Sequence, residues 1–144
     1  MFSKACEYGI KATLYIARRP APDRRVSLKE IAGAIDSPEA FTGKILQQLA
    51  RNGIIRSVKG PQGGFEIGEE DLDKLRLGHI VSAIDGNGIY KGCGLGLKEC
   101  NEHRPCPVHN KFVVIRNELK EMLEQTSLRH LAEGLNGGLT FLKR

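Results

Sequence analysis

The chain has 144 residues, 40% of them hydrophobic, and a formal net charge of +5. That length suggests one domain, or one small domain with an appended element, and it can bury a core without disulfide staples. No segment approaches the roughly 18 apolar residues of a membrane span, so no membrane role is expected.

The positive charge is unevenly spread: residues 1–68 carry a net +5 and residues 69–144 a net of zero. This asymmetry suits a polyanion-binding module joined to a neutral regulatory or assembly region. The opening run Met1-Phe2-Ser3-Lys4-Ala5-Cys6-Glu7 already carries charge and helical pattern, so no signal peptide is expected. A reducing, cytoplasmic compartment is expected in consequence. There, clustered cysteines read as metal-binding or catalytic before they read as disulfides.

Lys4 to Arg18 reads as a helix, with Ala5, Tyr8, Ala12, Tyr15 and Ile16 at three- and four-residue spacing. Pro20-Ala21-Pro22-Asp23 ends it. Ser27 and Glu30 form a capping-box pattern that opens a second helix, with Leu28, Ile31, Ala32 and Ile35 on one face. After the turn Asp36-Ser37-Pro38, Ser37 can cap a third helix and Pro38 suits its first position. The third helix runs to about Asn52, with Phe41, Ile45 and Leu49 on one stripe and Leu46 beside it. Lys44, Gln47 and Arg51 point largely the other way, and Gln48 lies at the boundary.

Asn52-Gly53 stops that helix. Ile54 to Val58 then reads as a strand, Gly60-Pro61-Gln62-Gly63-Gly64 as a turn, and Phe65-Glu66-Ile67 as a returning strand. Three short helices followed by a hairpin make a winged helix-turn-helix, whose DNA-binding version puts the second helix of the pair in the major groove. The fold class expected is therefore mainly α with a small β-hairpin wing. On that reading Thr42, Lys44, Gln47, Gln48 and Arg51 on the third helix, with Lys59 and Gln62 at the wing, are the candidate DNA contacts. Lysine and arginine would neutralise phosphates, and glutamine can read adenine edges. The bulk-free Gly60, Gly63 and Gly64 serve as turn residues or permit close approach to DNA.

Residues 69–76 are acidic and then mixed, and start a connector. Leu77 to Ile84 can form a short helix ended by Asp85-Gly86-Asn87-Gly88. Next comes the most unusual stretch. Cys93, Cys100 and Cys106 are three of the four cysteines, in the pattern C-x6-C-x5-C-x2-H that ends at His109. Gly92, Gly94 and Gly96 fill its start, and Pro105 and Pro107 bracket Cys106. Thiolates crowded into a flexible loop are what a soft metal or an iron–sulfur cluster requires. Zinc is the main rival, although structural zinc sites usually show close C-x2-C pairs and this chain has none. Cys6 reads as an ordinary helix cysteine, His103 as an exposed loop residue, and His79 and His130 receive no role.

Val108 to about Gln125 is a helix of roughly 27 Å. It is apolar along Phe112, Ile115, Leu119 and Met122, with Leu123 adjacent. One side is too apolar to stand alone, so it is expected to be a long C-terminal dimerisation helix. The tail from Ser127 should pack back or fray. The division expected is 1–76 as the winged helix-turn-helix and 77–144 as the cysteine loop and dimerisation helix.

Three segments together resemble the Rrf family of bacterial winged-helix transcription regulators, the IscR- and NsrR-like proteins. They are Ser37 to Leu46, Lys59-Gly60-Pro61-Gln62-Gly63-Gly64-Phe65, and the cysteine loop with the helix after it. The resemblance covers nearly the whole chain. It implies a homodimer on a palindromic double-stranded DNA operator. It also implies an iron–sulfur cluster, [2Fe–2S] favoured and [4Fe–4S] the alternative, on Cys93, Cys100 and Cys106. The fourth ligand is then His109 or, in the other pattern of the family, a carboxylate from the partner subunit at the position of Glu7. Six residues separate the first two cysteines here, where members often have five, and Lys59 and Phe65 stand where arginine and tyrosine are common. The function expected is a regulator that senses redox poise, nitric oxide or cluster supply. The alternatives are a cluster-free regulator answering to thiol oxidation, zinc or a protein partner, and an iron–sulfur carrier. Catalysis is not expected, since no nucleophile–base pairing or phosphate loop is evident.

Overall fold

The computed structural model describes residues 1–19 and 25–143. Helix α1 (Lys4–Ala17) starts where the Ser3 hydroxyl accepts the Cys6 backbone N–H at 3.0 Å. It is the central helix, packed against four others, and small residues make that possible. Its buried face is Cys6, Gly9, Ala12, Thr13, Leu14, Ile16 and Ala17. The expected stripe was rotated slightly from this: Ala5, Tyr8 and Tyr15 are half-buried at its edge. The Thr13 hydroxyl donates to the Gly9 carbonyl within the helix at 2.7 Å, which is how a buried hydroxyl is tolerated. The proline-rich break expected at Pro20 to Asp23 lies outside the described residues.

Helix α2 (Leu28–Ile35) forms only half of the expected capping box. Ser27 Oγ accepts the Glu30 N–H at 3.1 Å, while the Glu30 carboxylate pairs with Arg19, just past the end of α1, instead. Asp36 takes a left-handed backbone (φ 54°) and turns the chain into α3 (Glu39–Arg51). Pro38 is the N-cap of α3 and makes no side-chain cap bond; Ser37, expected to cap, is hydrogen-bonded to the Thr42 hydroxyl. Ile45, Leu46 and Leu49 carry α3 into the core. Phe41, expected with them, is half out, edge-on to Tyr8 with ring centroids 5.7 Å apart.

Strands β1 (Arg56–Val58) and β2 (Gly64–Glu66) pair antiparallel, with Ser57 opposite Phe65. A third segment, invisible to local pattern, fastens this hairpin: Val26 and Phe65 exchange backbone hydrogen bonds of 2.9 and 2.8 Å. That contact explains a wing glycine. A Cβ on Gly64 would lie 2.6 Å from the Val26 carbonyl oxygen, and one on Gly63 would lie 2.1 Å from that of Val58. Both positions are therefore closed to side chains by the protein's own backbone.

Residues 69–76, expected as connector, include the short helix α4 (Glu69–Lys74). Helix α5 (Leu77–Asp85) buries Leu77, Ile80 and Val81 and packs on α1 and α3 as well as on the later helix α7 (His109–Gln125). One turn of helix, α6 (Gly88–Lys91), precedes the cysteine loop. The tail packs back rather than fraying: Ser127 caps α8 (Leu128–Asn136), which buries Leu128, Ala132 and Leu135 and lies against α1. Paired backbone bonds between Leu77 N–H and Thr126, and between Leu128 N–H and Leu75, hold the α7–α8 turn to the start of α5. The fold is the winged helix-turn-helix expected, extended by a long helix.

Helix α7 is weakly buried. Leu123, expected only beside the apolar stripe, is its one fully buried residue, while Ile115 is 52% and Met122 45% exposed. Among the described residues no helix is long and apolar enough to cross a membrane.

Candidate nucleic-acid interface and cysteine loop

The exposed face of α3 presents Lys44, Gln47 and Arg51 along one side. The wing turn presents Lys59 and Gln62, also exposed. These five expected contacts share a solvent-facing surface chemistry suited to phosphate and base edges. Two others do not. Thr42 is fully buried, its hydroxyl donating to the Pro38 carbonyl at 2.8 Å and meeting Ser37, so it organises the start of α3 from inside. Gln48 turns inward, and its Nε2 donates to the Ala83 carbonyl of α5 at 2.9 Å. Periodicity placed Gln48 at the boundary of the helix face, and packing of α3 against α5 draws it inward.

Sequence reasoning missed Arg25. Its Nη1 donates to the Gln62 carbonyl at 3.2 Å and its Nε lies 3.3 Å from a Glu66 carboxylate oxygen. Arg25 thereby braces the turn of the wing and its returning strand. The residue is far from the wing in sequence, so only the Val26–Phe65 pairing reveals it.

The cysteine loop runs from Cys93 to α7. Its three cysteines are half-buried free thiols. Backbone N–H groups make the Cys93 thiol more acidic than usual, that of Leu95 foremost and that of Leu97 next, with a hydrogen bond from Cys106 adding to them. The Leu95 N–H donates to the Cys93 sulfur at 3.4 Å. Cys100 Sγ lies 3.4 Å from His109 Nδ1, and the Arg116 guanidinium donates to the same sulfur at 3.1 Å. The His109 N–H donates to the Cys106 carbonyl at 3.0 Å. The loop is seated on α7 by Phe112, whose ring leaves no room for a side chain at Gly94. A cavity of about 530 Å³ opens beside Cys100, lined by Tyr90, Lys91, His103, His109 and Arg116 among others.

The four expected donors thus fall into two pairs, Cys93 with Cys106 and Cys100 with His109. Among the described residues no three Cys, His, Asp or Glu side chains converge as a metal-binding group. The chemistry of the set nonetheless fits a thiophilic metal or cluster: three free thiols on one loop and an imidazole at the start of α7, with a cation against one sulfur. Glu7, the alternative donor, lies on α1 and pairs with Lys4 at 3.3 Å. Cys6 is buried completely, and desolvation first, then the nearby Asp85 carboxylate, push its thiol up to about 12. His103 is exposed, as expected. His79, given no role, accepts the Arg76 backbone N–H on Nδ1 at 2.8 Å and closes the first turn of α5.

Comparison with known proteins adds an independent line. The sequence matches the family described as "Rrf2: Iron-dependent Transcriptional regulator" over residues 2–134. It is 31% identical to a protein of Aquifex aeolicus (strain VF5) assigned as an HTH-type transcriptional regulator, over 91% of this chain and 90% of that one. Among solved structures it is similar to CymR, described as the global cysteine regulator of B. subtilis. The TM-score there is 0.74 at 25% identity, covering 92% of this chain and 96% of the other. The structure of T. potens IscR matches with a TM-score of 0.72 at 20% identity, covering 97% and 91%, which shows the shared fold.

Proposed function

The chain belongs to the Rrf2 family of transcriptional regulators, and from that premise we propose that it is a cytoplasmic homodimer that binds palindromic double-stranded DNA under the control of an iron–sulfur cluster. Regulation of transcription, and not catalysis, is the family's activity. What is proposed is how this chain does it.

The reading assigns residues 1–76 to DNA and residues 77–144 to sensing and dimerisation. Lys44, Arg51 and Lys59 neutralise phosphates, and Gln47 reads base edges from α3 in the major groove. Gln62 reaches the backbone or minor groove from the wing. Ile115 and Met122, exposed on α7, meet the same stripe of a second copy, since a self-complementary patch is what a two-fold dimer buries. Two recognition helices must then match half-sites about 34 Å apart.

One observation carries the sensing half. Three free thiols share a single loop that is seated on α7 by Phe112 and Arg116, and His109 stands beside them at the start of that helix. Cys93, Cys100, Cys106 and His109 would hold the cluster. The form proposed is [2Fe–2S], with [4Fe–4S] as the alternative. When bound, such a group supplies a one-electron couple and an inorganic core open to oxygen and nitric oxide. The protein's part is to hold the donors, shield them with Phe112, and pass the loop's order to α7. A coupling of about 1–3 kcal/mol between loop and recognition helices would change operator affinity from several-fold to about a hundredfold.

The test is anaerobic purification with iron, sulfide and zinc analysis and a visible spectrum. DNA selected from a random pool is then titrated with and without the bound group. Matched iron and sulfide with a shifted DNA affinity supports the proposal. A colourless, metal-free protein that still binds DNA would move the sensing to thiol oxidation or a protein partner. Zinc alone would make the loop structural.

A further inference from the structure

Arg116 sits on α7 about two turns beyond His109, on the same side of the helix. Its guanidinium turns back onto the cysteine loop and uses two nitrogens on two separate acceptors. Nη1 donates to the Gly92 carbonyl at 2.8 Å, and Nη2 donates to Cys100 Sγ at 3.1 Å. Gly92 directly precedes Cys93, so one side chain of α7 grips the loop at its entry and at its middle thiol. The loop needs such a grip. Gly92, Gly94 and Gly96 give it little backbone stiffness of its own, and Leu95 and Leu97 are more than half exposed.

We propose that Arg116 is a positioning residue of the cysteine loop, tying the Gly92 carbonyl and the Cys100 sulfur to α7 so that the sulfur donors are held where a metal group can be kept. A planar fork can satisfy two acceptors at once; a lysine ammonium on a flexible stem cannot hold the same geometry. A sulfur that ligates iron keeps lone pairs for an N–H donor, so the bond to Cys100 is compatible with the metal-bound state. Groups that hydrogen-bond to ligands typically matter by about 10–100-fold in metal affinity. The metal-retention half of this inference rests on the functional reading above; the tie itself does not.

The experiment compares the full chain with Arg116→Gln and Arg116→Lys. In the metal-free proteins, amide hydrogen exchange is followed across residues 92–101. In proteins reconstituted anaerobically with iron and sulfide, the rate of iron loss to a chelator is followed. Both variants are expected to exchange faster over 92–101, by roughly tenfold, and to lose iron about 10–100-fold faster, with exchange in α1 and α5 unchanged. Unchanged exchange over 92–101 in Arg116→Gln overturns the tie. Arg116→Lys behaving as the parent overturns the two-acceptor geometry and reduces the role to charge. A parent chain that takes up no iron overturns the functional reading, while the exchange result still decides the tie. A parent and an Arg116→Gln protein that keep iron equally well overturn the retention claim alone.

Discussion

The Gln48 side chain on α3 donates to the Ala83 carbonyl on α5 at 2.9 Å, so α3 is hydrogen-bonded directly to the helix that packs on α7. Gln48→Ala should lower stability by about 1 kcal/mol, the usual worth of a partly buried hydrogen bond, and leave base preference unchanged. Gln47→Ala should do the reverse. Urea unfolding and selection from a random DNA pool separate the two, and a change of base preference in Gln48→Ala would return Gln48 to the DNA face.

The exposed cations make a prediction about salt. Lys44→Ala, Arg51→Ala and Lys59→Ala should each weaken DNA binding across all sequences. Each should also reduce the slope of log affinity against log salt by about one. Fluorescence anisotropy over a range of salt concentrations measures both. A variant that keeps the full slope does not touch phosphate.

Arg25 offers a different test of the same surface. Its bonds to the Gln62 carbonyl and to Glu66 brace the wing without presenting the guanidinium as a free cation. Arg25→Ala should raise hydrogen exchange in residues 57–66 and weaken DNA binding several-fold. Arg25→Lys should restore little, because one ammonium cannot hold both acceptors. Weakened binding with an unchanged wing would make Arg25 a direct phosphate contact.

How far the sequence could be read depends on whether a residue's partners are local. The helix start at Ser27, the stop at Asn52-Gly53 and the hairpin around Gly60 follow from neighbours a few residues away, and local chemistry showed them; the helix that Ser127 caps was expected only as a tail that packs back or frays. The phase of α3 did not follow so closely. Thr42 and Gln48 flank the expected core stripe; Thr42 is buried over the Pro38 carbonyl, and Gln48 turns inward to a carbonyl of α5, some thirty-five residues later. The Val26–Phe65 pairing and the Arg25 brace are equally non-local, and no periodicity encodes them. In the loop, residue type pointed to metal chemistry. The pairing of Cys93 with Cys106 and of Cys100 with His109, and the hold of Arg116, needed the folded chain.

Cys6 carries a pH signature. Burial, with Asp85 adding, raises its thiol to about 12, whereas the unfolded chain ionises near 9.0. Because the folded value is the higher one, the stabilising contribution is complete below pH 9.0 and is lost as pH rises toward about 12. Within that window the slope from this one group is at most about 1.4 kcal/mol per pH unit. Other groups titrate there too, so the quantity to measure is a difference. The stability gap between the parent and Cys6→Ala should be constant below pH 8.5 and should narrow or reverse above pH 9.5. A gap independent of pH to 10.5 would show that Cys6 is solvated in the folded state.

The two candidates for the fourth ligand differ in position. His109 opens α7 and already stands 3.4 Å from the Cys100 sulfur. A negatively charged group bound there would also meet the positive end of that helix. Glu7 lies on α1 and is engaged with Lys4, so in its own subunit it offers the loop nothing, and its candidacy requires a second copy to bring it near. The two hypotheses therefore differ in their dependence on assembly. His109→Ala should raise the rate of iron loss from reconstituted protein by tenfold or more, on the order of other perturbations at metal sites, at every protein concentration. Glu7→Gln should leave that rate unchanged. If instead Glu7→Gln releases iron rapidly, and dilution below the dimer dissociation constant does the same to the parent, the ligand comes from the partner subunit and His109 is a hydrogen-bonding neighbour of Cys100.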